Sequence, residues 1–145
     1  LIAINAAMLH LRRWVGLRKE RTIQNMATAF KDWPGMAADL IPAIKELHKG
    51  APGVMKAFRE MGAAAHEGGA LDAKTKELLA VAISVAVRCD PCVTYHVEGA
   101  RKQGATREEI AETLGLAVYM GAGPNAMYAA QALEAYDQYA ESAAG

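Results

Sequence analysis

The placement of proline and glycine constrains this chain most, because from Pro34 to Pro124 they cut it into helix-length pieces. Proline is tolerated in the first turn of a helix, and glycine favours the position just past its end. Pro34 therefore opens a segment running to about Lys49 and closed by Gly50. Pro52 opens the next, with Val54, Met55, Phe58 and Met61 at helical spacing, and it ends at His66-Glu67-Gly68-Gly69. Asp72 suits the N-cap of a helix from about Ala73 to Val87. Asp90 is the expected N-cap of another, with Pro91 at its first position and Gly104 just past its end. Thr106-Arg-Glu-Glu109 is a capping box, and its helix carries Ile110, Leu114, Ala117 and Val118 on one face as far as Gly121-Ala-Gly123. Pro124 opens a last helix to about Ala140, after which the tail is expected to fray.

Nothing reads as a series of strands. Alternation of apolar and polar residues is rare, and β-branched residues cluster only at Val81–Val87. The fold class is therefore all-α, with six or seven helices and short connections. The segment from Leu78 to Val87 is apolar almost all round, which predicts a central, buried helix. At 145 residues the chain suits one core. Abundant Ala and Gly suggest close helix–helix approach, and apolar helical surface on so short a chain suggests burial against copies of itself. No apolar run reaches the roughly 18 residues needed to span a bilayer. The formal net charge is zero, so the total gives no basic surface for nucleic acid.

That total hides an asymmetry. Residues 1–25 carry a net +4, from Arg12, Arg13, Arg18, Lys19 and Arg21 against Glu20, and residues 26–145 carry −4. Three readings of the basic segment compete. It is an N-terminal helix with Ile2, Leu9, Leu11, Trp14, Val15 and Leu17 forming part of an apolar face, a leader ahead of a start at Met26, or an Arg-rich transit peptide. The domain boundary is accordingly placed between residues 25 and 26.

The chain has two cysteines, Cys89 and Cys92, three positions apart. A loop this short constrains little of the unfolded chain, so as a staple it would be poor. A close pair in an otherwise cysteine-free chain reads better as redox or metal chemistry in a reducing compartment, and the cytoplasm is the expected location. A sulfur in the first turn of a helix feels the partial positive charge of the helix N-terminus, which favours the reactive thiolate. Asp90 opposes that effect. His96 follows Cys92 by four residues, so both lie on one helix face, where an imidazole can take a proton from the thiol and return it. Glu77 is the candidate carboxylate to orient that ring, because an unpaired carboxylate beside so apolar a stretch would be costly.

Singly, each residue has an ordinary structural role: inert buried thiols, a core or surface histidine, a solvated glutamate beside Lys74 and Lys76. Tyr95 reads as core. Together the four are far more informative. Zinc held by Cys, Cys, His and Glu is the chemical rival, but the spacing is unlike the common two-knuckle sites, and no metal or other cofactor is expected.

The pattern Glu77, Cys89, Cys92, His96 resembles the active-site signature of the alkylhydroperoxidase D-like (AhpD-like) proteins of the carboxymuconolactone decarboxylase family. Ala82-Ile-Ser84, Tyr95-His96, Gly104-Ala-Thr-Arg-Glu-Glu-Ile110 and Met120-Gly-Ala-Gly-Pro124 fit too, so the resemblance covers about residues 35–140. It implies an all-helical AhpD-like domain assembling as a homotrimer or homohexamer. It also implies a cysteine-based hydroperoxide reductase or disulfide oxidoreductase served by a thiol or dithiol electron donor. By similarity, Cys89 and Cys92 are the redox pair, and His96 and Glu77 are the proton relay that activates Cys92. The decarboxylases that name the family generally lack the paired cysteines, so lactone decarboxylation is the alternative activity. A non-enzymatic redox-sensing oligomer is the alternative of another class. Geometry poses a problem for the relay. On one straight helix Glu77 and Cys89 would lie about 18 Å apart, at ~1.5 Å per residue, so the relay requires a bend, an early helix end or a return of the next helix alongside.

Overall fold

The computed structural model describes residues 29–144; the basic segment 1–25, its three readings and the boundary at 25/26 lie outside them. The helical unit begins at Trp33. Five helices follow in order: α1 (Trp33–Gly50), α2 (Pro52–His66), α3 (Ala73–Val87), α4 (Asp90–Lys102) and α5 (Arg107–Ala144). No strand occurs among the described residues. The all-α class therefore stands, with five helices there rather than six or seven. No helix among these residues is long and apolar enough to cross a membrane.

The helix ends follow local hydrogen bonding. The Asp72 side chain accepts from the Thr75 amide at 2.7 Å and opens α3. Its ordinary carboxyl pKa is lowered, chiefly by that backbone hydrogen bond. The capping box closes reciprocally: the Thr106 amide donates to Glu109 Oε2 at 2.8 Å, and the Glu109 amide donates to Thr106 Oγ1 at 3.2 Å. Gly104 leaves α4 at φ +82°, a left-handed conformation that side chains resist. At the end of α2, the ammonium of Lys76 donates to the carbonyls of Ala65, at 3.0 Å, and Glu67. Those carbonyls have no partner within the helix, so Lys76 ties the C-terminus of α2 to α3.

Two expected boundaries move. Cys89, not Asp90, is the N-cap of α4; Asp90 and Pro91 stand inside the first turn. The Gly121-Ala-Gly123-Pro124 stretch ends one helical run and opens the next, as its glycines and proline predict, although the two abut within α5. It kinks α5 at Ala122 (φ 50°, ψ −139°), and the helix resumes at once and continues to Ala144 rather than fraying after about Ala140. Pro124 lacks the amide that would have bonded the Met120 carbonyl one turn back. Buried Asn125 donates from Nδ2 to the Ala117 carbonyl at 2.8 Å. Gly121 makes room for it: a Cβ there would fall 2.0 Å from Asn125 Nδ2.

The core lies among α3, α4 and α5, where Val81, Val85, Val93, Val97 and Ile110 are fully buried. Trp33 joins it from α1, wholly enclosed. The Trp33 indole donates to Glu134 at 3.1 Å, and the Trp33 carbonyl accepts from Thr94 Oγ1 at 2.8 Å. Helix α3 departs from expectation. Val81, Ser84 and Val85 face the core, but Ile83 and Val87 are 60% and 64% exposed, because α4 and α5 cover one side of it only. Tyr95 is likewise open to solvent rather than in the core.

Candidate functional site

The chain reverses between α3 and α4. Arg88 adopts a left-handed conformation (φ 58°), its amide returning to the last turn of α3. Cys89 is extended, and α4 then runs back along α3. This return bridges the distance, since it brings His96, nineteen positions on in the chain, beside Glu77. The His96 Nδ1–H donates to Glu77 Oε2 at 2.8 Å. The Glu77 side chain keeps only 15% of its exposure and that of His96 32%. Neither is the solvated surface group that each could have been singly; Lys74 and Lys76 are engaged elsewhere, on Glu109 and the end of α2.

Cys89 and Cys92 are joined as a disulfide, with Cα atoms 5.2 Å apart. The Cys89 sulfur also accepts from the Cys92 amide at 3.3 Å and so caps α4. The capping position thus belongs to the cysteine pair itself. Cys92 stays in the first turn, where the exposed amides of the helix N-terminus favour a negative sulfur. Both residues are half-buried, so a small molecule can reach them. His96 lies one turn further along α4.

Two residues of this neighbourhood were not singled out from sequence. Gly99, a turn beyond His96, packs against the carboxylate: a Cβ there would lie 2.8 Å from Glu77 Cδ and Oε2. Its signal was a glycine inside a helix with no turn to make, which often marks close packing. His66, the last residue of α2, brings Nε2 to 3.3 Å from Glu77 Oε1. Its Nδ1–H donates to the Gly62 carbonyl at 2.9 Å. The His66 and His96 rings are nearly parallel, 8° apart with centroids separated by 6.2 Å, and they bracket the carboxylate. No local pattern announced His66, because it reaches Glu77 only through the turn between α2 and α3.

Residues 52–135 match the carboxymuconolactone decarboxylase family, more than half of the chain. The chain belongs to that family. A carboxymuconolactone decarboxylase family protein of Legionella pneumophila has a similar structure, with TM-score 0.72 and 45% identity over 74% of this chain and 96% of that one. A member from Thermotoga maritima, for which a part in the antioxidative response has been suggested, superposes with TM-score 0.65 and 29% identity. It covers 73% of this chain and 93% of that one. An uncharacterized protein of Cupriavidus necator is 46% identical over 86 residues, which are 59% of this chain and 76% of that protein. The carboxymuconolactone decarboxylase fold is thus the one that places Glu77, His96 and the cysteine pair on two antiparallel helices.

Proposed function

We propose that this protein is a thiol-dependent hydroperoxide reductase, a disulfide oxidoreductase of the AhpD-like kind. The observation that carries the reading is the 2.8 Å hydrogen bond from His96 to Glu77, one helical turn from a cysteine already bonded to its neighbour. With Nδ1–H held by the carboxylate, the basic nitrogen of His96 is Nε2.

In the dithiol form, His96 takes the proton of Cys92, and Glu77 stabilises the resulting imidazolium. The Cys92 thiolate attacks one oxygen of the hydroperoxide. The O–O bond breaks, an S–O bond forms, and the departing alkoxide leaves as an alcohol with the proton from His96. The sulfur is oxidised by two electrons and the peroxide reduced by two. The Cys89 thiol then displaces water from the sulfenic acid and forms the Cys89–Cys92 disulfide. An external thiol or dithiol donor restores both thiols by exchange and is itself oxidised. The observed disulfide is the end state of this sequence.

The lyase alternative would use His96 as a base and need no sulfur; the bonded pair at the helix N-terminus favours thiol chemistry. Exposed Ile83, Val87, Phe58 and Tyr119 support a homo-oligomer, trimer or hexamer, that covers them. A pair that cycles between thiol and disulfide suits the reducing cytoplasm.

Thiol titration tests the reading. After one equivalent of hydroperoxide, the reduced protein should lose two thiols per chain as an internal disulfide that a dithiol reverses. Persistence of both thiols would remove the peroxidase reading and bring the lyase or sensor forward.

A further inference from the structure

His66 is not needed for the thiol cycle, yet it is held in place with care. Lys76 fastens the end of α2, and the Gly62 carbonyl accepts a hydrogen bond from His66 Nδ1–H. In the neutral ring that hydrogen bond leaves a lone pair on Nε2. This lone pair meets Glu77 Oε1, itself acceptor-only, at 3.3 Å. In that neutral form two lone pairs face each other across the gap, and either a proton on Nε2 or a bound cation reconciles them. The other carboxylate oxygen is approached by His96 Nδ1, so two ring nitrogens and one carboxylate from three helices point inward at one place. Their ligand atoms all lie within 4.8 Å of one another. A tetrahedral zinc ion with ligands at about 2.0–2.2 Å needs neighbouring donors about 3.3 Å apart.

We propose that His66, Glu77 and His96 form a binding site for a divalent transition-metal cation of the zinc class. The donor set is two imidazoles and a carboxylate with an open fourth position, different from the Cys, Cys, His, Glu set considered from sequence. Ring nitrogens select zinc-class metals over calcium and magnesium, which require oxygen. The hydrogen bond from His66 to the Gly62 carbonyl is the outer support that metal-ligating histidines commonly have. At the site the metal replaces the proton between His96 and Glu77, which is released. An occupied site therefore breaks the hydrogen bond proposed to serve the thiols, and the metal is an inhibitor of thiol oxidation rather than a cofactor. The partial exposure of His66, 42%, gives it a route in.

Calorimetric titration of the full chain with zinc chloride tests this, with the protein in its disulfide form so that sulfur cannot ligate. One zinc per chain is expected, with affinity lowered at least a hundredfold in His66→Gln and unchanged in His48→Gln, whose histidine lies on α1 away from the cluster. Circular dichroism verifies that helicity is retained. Cobalt(II) added to the wild-type protein should give the visible absorption of a tetrahedral nitrogen–oxygen site. Lack of saturable zinc binding below millimolar concentration, equal affinity in wild type and His66→Gln, or no cobalt absorption would each overturn the proposal. None of these readouts uses peroxide, so the site stands or falls separately from the peroxidase reading.

Discussion

His96 and Glu77 share a 2.8 Å hydrogen bond across the α3–α4 interface, and a glycine makes that interface narrow enough. At Gly99 even a methyl carbon would sit 2.8 Å from the Glu77 carboxyl carbon. Gly99→Ala should therefore push the helices apart or turn the carboxylate away. A loss of about 1–3 kcal/mol in unfolding free energy is expected from overpacking, together with slower thiol oxidation. Gly115→Ala is the control. That glycine lies in α5 with nothing within 4 Å of its would-be Cβ, so alanine should raise stability by about 0.5–1 kcal/mol. Urea titration of both variants checks the opposite signs.

The α5 kink makes a second prediction. Asn125 is buried and its amide donates to the Ala117 carbonyl across the kink. Asn125→Ala should cost about 0.5–1.5 kcal/mol, the net contribution of the hydrogen bond it removes. Gly121→Ala should be worse, because its Cβ would lie 2.0 Å from the Asn125 amide nitrogen. Thermal denaturation orders the two. Equal stability of both variants and the wild type would contradict this account of the kink.

Acid stability depends on the caps. The Lys74 ammonium hydrogen-bonded to Glu109 holds that carboxyl below its ordinary 4.5, with help from the Thr106 amide. Asp72 is lowered from 3.8 by the Thr75 amide. A carboxyl whose folded pKa is depressed contributes stability that is fully present above its unfolded value and is lost as the pH falls through the folded one. The loss should thus appear below about pH 4.5. Glu109→Gln should flatten this acid limb while lowering the denaturation midpoint at neutral pH. An acid limb as steep as in the wild type would show that Glu109 does not contribute to it.

The order of the cysteines is open to direct assay. Cys92→Ser should abolish the fast reaction with hydroperoxide. Cys89→Ser should retain it and accumulate a sulfenic acid, detectable by a dimedone adduct and mass spectrometry. If Cys89→Ser alone abolishes the first oxidation step, Cys89 is the attacking residue and Cys92 resolves.

Much of this architecture was legible because its signals are local. Asp72, the Thr106–Glu109 box and Gly104 act on backbone groups within four residues, so their sequence neighbours disclose them. The N-cap of α4 was misread because an aspartate next to a proline is the better cap on chemistry alone. The sulfur of a bonded cysteine took the role instead. The apolar residues of α3 predict burial all round; burial depends on what packs outside, and Ile83 and Val87 have no cover among the described residues. Spacing brought Cys92 and His96 together on one face, but the meeting of Glu77 with His96 came from the family resemblance, and its cause is the chain reversal at Arg88. His66 gave no sign, since it needs both the turn after α2 and the anchoring by Lys76 to face Glu77.

The role proposed for the relay of Glu77 and His96 is to activate the cysteine pair. Stopped-flow measurement of thiol loss in the fully reduced protein mixed with a hydroperoxide tests it most directly, comparing wild type, His96→Gln and Glu77→Gln. The relay predicts oxidation slower by about 10²-fold or more in His96→Gln, the scale of general acid–base catalysis, and an intermediate rate in Glu77→Gln. Equal rates in all three proteins would contradict it.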